Sequence, residues 1–195
     1  MKKNTLVIAI ITIIILVGGL FLNDYNKLVK YDESTKAAWS QVENQYQRRS
    51  DLIPNLVNTV KGYASHEKET LQQVVEARSK ATSIHIDPKN MNSTDMKQFY
   101  DAQGELSQAL SRLMVVVEKY PDLKANENFQ MLQAQIEGTE NRISVERKRY
   151  NDMVNEYNTY LRKFPHNIVA GLFGFSKVDY FKSEEQAQKA PKVEF

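Results

Sequence analysis

No cysteine occurs among the 195 residues. This excludes a disulfide framework, a thiolate zinc site, a cysteine nucleophile and a lipid-modified cysteine anchor at the N-terminus. It leaves the compartment open, because a thiol-free chain is at home in either redox environment. Histidine is scarce too, with His66, His85 and His166 alone. None has a carboxylate three residues before it, so the paired Glu-x-x-His ligands of a di-iron bundle are missing. The stretch "HEKET" at His66 lacks the second histidine of a zinc protease motif. Phosphate-loop and RNA-binding signatures are absent, and no serine sits on a strained turn with a partnered histidine. The net charge of +2 gives no case for nucleic acid or a strongly anionic partner. The expectation is a chain that is not an enzyme, with no cofactor, no metal and no evident small-molecule substrate.

Glycine and proline are few, at 7 and 5, and they are scarce between the first two dozen residues and position 165. No strand-like alternation of useful length appears. What the chain does have is an uncharged run, "LVIAIITIIILVGGLFL", from Leu6 to Leu22. At 1.5 Å per residue it covers about 25 Å, the short end of a membrane-spanning helix. Lys2 and Lys3 before it suit a signal or an anchor. The run exceeds the usual signal core and no A-x-A site follows, so residues 1–23 read as an uncleaved anchor. Lys27, Lys30 and Lys36 lie on its other side, so the positive-inside count is close to a tie. The reading adopted is N-terminus inside, with the bulk outside the cytoplasm.

Beyond the anchor, apolar residues recur at spacings of three and four in four long segments, the pattern of helices packed along a seam. The first, from about Asp24 to Arg49, carries Tyr25, Leu28, Trp39, Val42 and Tyr46. The second, from about Leu52 to Thr82, carries Ile53, Val57, Val60, Leu71, Val74 and Ala81. The third, Asp95 to Lys119, carries Met96, Phe99, Leu106, Leu110, Leu113 and Val117. The fourth, Asn126 to Lys163, carries Phe129, Leu132, Ile136, Ile143, Tyr150, Met153 and Tyr157, with Phe164 continuing the spacing. The breaks between the later segments are "IHIDPKNMNSTD" around Pro88 and "KYPDLKANE" around Pro121, the latter with Asn126 as an N-cap.

The first break turns on Pro54. With Asp51 as N-cap, Pro54 falls in a first helical turn, where it removes no hydrogen bond. Arg48 and Arg49 then close the preceding helix, complementing its dipole. This predicts a hairpin at Ser50. The expected fold is all-α: a transmembrane helix, an antiparallel up-and-down four-helix bundle over 24–164, and an irregular apolar tail over 165–195. The 50–54 hairpin and the Pro121 loop would lie far from the bilayer, with the Pro88 loop and the tail near it.

The stretch "AWSQVENQYQRRSDLIPNLVNTVKGYASHEKETLQQVVEAR" (Ala38 to Arg78) resembles the signature of the LemA family of bacterial membrane proteins. The tail "FPHNIVAGLFGFSKVDYF", with terminal "PKVEF", is similar to that family's C-terminal segment, and the anchor matches as well. The resemblance implies one N-terminal transmembrane helix in the bacterial cell (inner) membrane and a four-helix bundle. It implies no activity, since the family's molecular function is not settled, and it supplies no catalytic residues.

Three groups of residues are candidates for function. Polar positions interrupt the seams 13 to 20 residues from the distal turns, at about 20–30 Å of helix rise. They form either a register-setting layer, together with Thr35 and Thr139, or a ligand pocket lined by Asp32, Glu67 and Gln103, with Glu146 and with Arg78 or Arg142 nearby. In the tail, Ile168, Leu172, Phe173 and Phe175 either cover the membrane-proximal end of the bundle or meet lipid or another membrane protein. Arg48 and Arg49 either finish a helix or mark a distal surface for an acidic partner. The preferred function is an envelope interaction or scaffold module whose partners are the lipid bilayer and other membrane or envelope proteins. The alternative is a ligand-sensing bundle working through a partner membrane protein.

Overall fold

The computed structural model describes residues 2–86 and 93–181. Pro88 and the terminal "PKVEF" lie outside them. All the elements among the described residues are helices: α1 (Lys2–Tyr63), α2 (Lys68–Ser83), α3 (Ser93–Val117), the short α4 (Pro121–Lys124), α5 (Glu127–Arg162) and α6 (His166–Phe173). The N-terminal part of α1 is long and apolar enough to cross a membrane, and none of that window is buried against protein.

The expected hairpin at Ser50 does not form. α1 runs through Arg48, Arg49 and Ser50 with Pro54 inside it, and the chain reverses only at 64–67. The reason lies in one hydrogen bond. In a helix the N–H of residue 54 would bond the carbonyl of Ser50, and proline has no N–H to give. Ser50 is buried, so its carbonyl cannot turn to water. Arg78 of α2 donates its Nε–H to that carbonyl at 2.7 Å instead. A side chain from the neighbouring helix supplies the bond that proline removes.

The actual turn is built from weaker signals. Gly62 lowers the helix propensity of the last turn of α1. Ala64 still bonds Val60 at 2.8 Å, and the Glu67 amide returns to the Ala64 carbonyl at 3.1 Å. Reversal there returns Leu71 and Val74 to the core that already holds Ile53, Leu56 and Val60.

The described residues fall into two compact units. One is Ala38–Arg149. Its core draws on four helices and α4, with Ile53 and Leu56 from α1, Val74 from α2, Leu106 and Leu113 from α3, Leu123 from α4 and Phe129 from α5. Trp39, Tyr46 and Phe99 add an aromatic cluster, with ring centroids 5.5 and 5.1 Å apart. α5 starts where the spacing predicts: Asn126 Oδ1 accepts the Phe129 amide at 3.0 Å, which is an N-cap bond.

The other unit comprises the described parts of Met1–Ala37 and Tyr150–Phe195. Its core is Leu28, Tyr157, Val169 and Ala170, with Tyr25, Tyr31 and Phe175 packed against it. α6 ends at Gly174, whose φ of 77° suits glycine. The Phe175 amide there bonds back to the Ala170 carbonyl at 3.0 Å.

Candidate functional site

Arg49 has 1% of its surface exposed, so it is an interior group and no tip. Its guanidinium gathers partners from two other helices. Nη2 donates to Gln103 Oε1 at 2.6 Å and lies 3.3 Å from the Gln103 carbonyl. Nη1 donates to Ser107 Oγ at 2.9 Å and to the Glu140 carboxylate. The ring of Tyr46 lies 5.2 Å beneath the guanidinium carbon, a favourable cation–π distance. Gln103 in turn donates to the Ala81 carbonyl at 3.2 Å. One polar network thus ties α1, α2, α3 and α5 of the 38–149 unit. Arg48, its neighbour, is exposed.

Of the expected residues the network holds Gln103, while Arg78 bonds the carbonyl of Ser50, the residue next to Arg49. The others go elsewhere. Glu67 sits at the α1–α2 turn, because the hairpin is there, and accepts the Tyr120 hydroxyl at 3.1 Å. That bond raises the Tyr120 pKa. Asp32 belongs to the other unit and pairs with Lys36 at 2.6 Å; this bond raises the Lys36 pKa against the opposing effect of burial. Arg142 is exposed and Glu146 is half-buried, 3.9 Å from Arg149. Thr35 and Thr139, both buried, return their hydroxyls to carbonyls of their own helix, Tyr31 and Gln135. Along α3 and α5, Ser107, Leu110, Met114, Ile136, Glu137 and Glu140 border a groove of about 510 Å³. Its floor is apolar and its rim acidic.

In the other unit, Asp24 is buried and central. Tyr160 donates its hydroxyl to Asp24 Oδ1 at 3.1 Å. His166 Nδ1 lies 3.0 Å from Asp24 Oδ2, and the Tyr160 and His166 rings stack with centroids 4.0 Å apart. Burial first, then the bond to Asp24, pushes the Tyr160 pKa up to about 12. This cluster sets the start of α6 beside α1. Of the four tail candidates, Phe175 is half-buried, whereas Ile168, Leu172 and Phe173 are 49%, 70% and 54% exposed. The inward positions of α6 are Val169 and Ala170.

The chain after α6 is held by an asparagine ladder. Asn158 donates to the Val178 carbonyl at 2.8 Å and accepts the Val178 amide at 3.1 Å. Asn151 does the same for Phe181, at 3.1 and 2.8 Å. The two asparagines are seven residues apart on α5, about 10.5 Å of rise. Their partners are three residues apart in extended chain, about 10 Å. The two spacings match.

The family model of the LemA family covers residues 38–195. The chain belongs to the LemA family. Among its relatives is Magnetosome protein MamQ 2 of Paramagnetospirillum magneticum, 26% identical over 92% of this chain and 72% of that protein. Magnetosome protein MamQ of Magnetospirillum gryphiswaldense is 26% identical over 90% of this chain and 71% of its own length. Protein LemA of Metamycoplasma hominis is 25% identical over 88% of this chain and 76% of its own.

Within this LemA-family chain, two arrangements were not expected from the sequence: the hub around Arg49 and the asparagine ladder. The Arg49 hub had one signal: an arginine on the seam side of a helix, next to Tyr46 by one turn. The asparagine ladder had a clearer one. Asparagine is a poor mid-helix residue because its side chain competes for backbone groups, and Asn151 and Asn158 are two heptad-spaced examples facing inward.

Proposed function

We propose that this LemA-family chain is a non-enzymatic, single-pass protein of the bacterial inner membrane that serves as an interaction or scaffold module of the envelope. The observation that carries this reading is α1 itself. A single helix holds an uncharged, uncovered stretch at 6–22 and then contributes Ile53, Leu56 and Val60 to the core of the 38–149 unit. Location and body are therefore one element. The contributions of α1, α2, α3 and α5 to the 38–149 core support an up-and-down four-helix bundle, with its first reversal at 64–67. The Arg49 network suits a layer that fixes register among those helices, a role attested for buried polar groups. The N-terminus faces the cytoplasm and the bulk of the chain lies outside. Arg48, exposed beside the buried hub, remains available to an acidic partner.

A second reading, a ligand-sensing bundle acting through a partner membrane protein, draws on the groove beside Glu140. In that reading an amphipathic cation would lie on Leu110, Met114 and Ile136 and meet Glu137 and Glu140 at the rim.

Photo-crosslinking of the full-length protein in its native membrane separates them. A discrete protein partner captured from surface positions such as Arg48 supports the scaffold. Recovery of the chain in the soluble fraction with its first residues removed overturns it. Crosslinks confined to a small molecule at Met114 favour sensing.

A further inference from the structure

We infer that α6 is an interfacial helix lying in the headgroup region of the same bilayer that α1 crosses, with Ile168 and Leu172 turned into lipid. The inference rests on the proposed span at 6–22. It begins with composition. "HNIVAGLF" contains no Asp, Glu, Lys or Arg and is apolar after His166 and Asn167, and an apolar helix belongs in a core or a membrane. Only half of this one is in a core. Val169 and Ala170 pack with Leu28 and Tyr157. On the opposite side Ile168 and Leu172, one turn apart, are 49% and 70% exposed, and Phe164, in the turn before α6, is 79% exposed.

Position supplies the occupant. The Phe173 ring lies 4.8 Å from Tyr25 and Phe175 lies 5.8 Å from it. Tyr25 is three residues beyond Leu22, about 4.5 Å further along the axis than the last residue of the uncharged run. His166, at the other end of α6, has its Nδ1 3.0 Å from Asp24 Oδ2 and its ring stacked on Tyr160. Both ends of α6 thus lie beside the first turn after the span, at the depth where a bilayer passes from acyl chains to headgroups. The side chains follow the same gradient. Tyr25 and Tyr160, the latter bonded to Asp24, are amphipathic aromatics of the kind found at that depth. Lys27 and Lys30 are exposed just beyond it; Arg162 and Lys163 precede α6 and Lys177 follows it, all exposed. Cations beside an apolar helix face suit anionic lipid phosphates.

The lack of cysteine makes the test direct. Single variants Leu172→Cys, Ile168→Cys, Leu16→Cys and, as an exposed apolar control in the 38–149 unit, Val115→Cys are made in the full-length chain. Each is nitroxide-labelled and reconstituted in vesicles of phosphatidylcholine and phosphatidylglycerol. Oxygen, which concentrates in lipid, and a water-soluble nickel chelate then report depth. The expected result is a several-fold higher oxygen-to-nickel ratio at 168 and 172 than at 115, with 16 deepest. A water-like ratio at 168 and 172 with 16 in lipid overturns the inference and leaves the anchor standing. Water-like ratios at all three overturn the anchor. Shielding of 168 and 172 from both reagents means that protein covers α6 and also overturns the inference; relief of spin broadening on dilution with unlabelled chain would identify that cover as a second copy.

Discussion

A guanidinium removed from water is costly unless its charge and its donors are matched, and Arg49 meets that demand unevenly. Gln103, Ser107 and Glu140 take four contacts from Nη1 and Nη2, while Nε has no acceptor among the described residues. The pair is lopsided too: Arg49 is sealed, whereas the Glu140 side chain is 41% exposed. Removing the carboxylate strands a buried cation; removing the cation leaves a carboxylate that water can reach. Glu140→Gln should therefore cost about 3 kcal/mol, the low end for breaking a buried pair. Arg49→Met, which keeps the side chain's bulk, should cost about 1–2 kcal/mol through the unpaired Gln103 oxygen. The more exposed partner is the more damaging one to lose. Urea denaturation of the two single variants and the double variant tests this, and a larger loss for Arg49→Met would refute the assignment. Glu43 adds a smaller case in the same unit. Burial raises its pKa, against the opposing influences of Trp39 and His85, so its charged form at neutral pH is a cost to the fold.

At the scale of the helix, Pro54 and Arg78 act as one device. If Arg78 stands in for the missing amide, its value must depend on the proline. Arg78→Met in the natural chain leaves the buried Ser50 carbonyl unpaired and should cost about 1–3 kcal/mol. In a Pro54→Ala background the alanine N–H can bond that carbonyl, so the same change should cost about 1 kcal/mol less or better. Additive effects in this double-mutant cycle would mean that Arg78 holds α2 for another reason. The pairing also explains what the sequence disclosed and what it withheld. The helix periodicity was legible: Leu28, Trp39, Val42, Ile53, Val60, Leu106, Leu113 and Tyr157 are all buried, since apolar spacing reports burial directly. The chain reversal was not. Proline chemistry is local, but the bond that neutralises it comes from Arg78, 28 positions from the Ser50 carbonyl it serves, and no spacing rule contains that contact. Gln103 was legible as a polar interruption of a seam. Its partner Arg49 was not, because next to a supposed helix end an arginine has a sufficient local explanation. Phe164 failed the opposite way: it continues the α5 spacing but lies past the last turn and is exposed.

At the scale of the whole chain, the tyrosines raised furthest lie in the unit of α6 and the single tryptophan lies in the other. Burial is the main cause that raises Tyr157 to about 12 in the unit of α6, and Tyr160 reaches about 12 for the same first reason. Tyr150 is raised as well, again by burial first. In the unfolded chain these phenols ionise near their ordinary value of about 10. Between about pH 10 and 12 the unfolded state thus binds fewer protons than the folded one, and stability falls as pH rises. Below about pH 10 both states are protonated, and these residues contribute no slope. The single tryptophan, Trp39, is buried in the 38–149 unit, so its emission maximum reports the other body. Alkaline titration of the full-length protein in lipid should show late, cooperative ionisation of a subset of tyrosines by ultraviolet absorbance. The Trp39 emission maximum should hold through that step, because each unit has its own core. Replacing Tyr157 and Tyr160 by Phe removes two of the linked groups and should flatten the alkaline fall. If all tyrosines ionise near pH 10, or if Trp39 shifts in step with the late ionisation, then burial in the α6 unit is not what holds those protons, or the two cores melt as one.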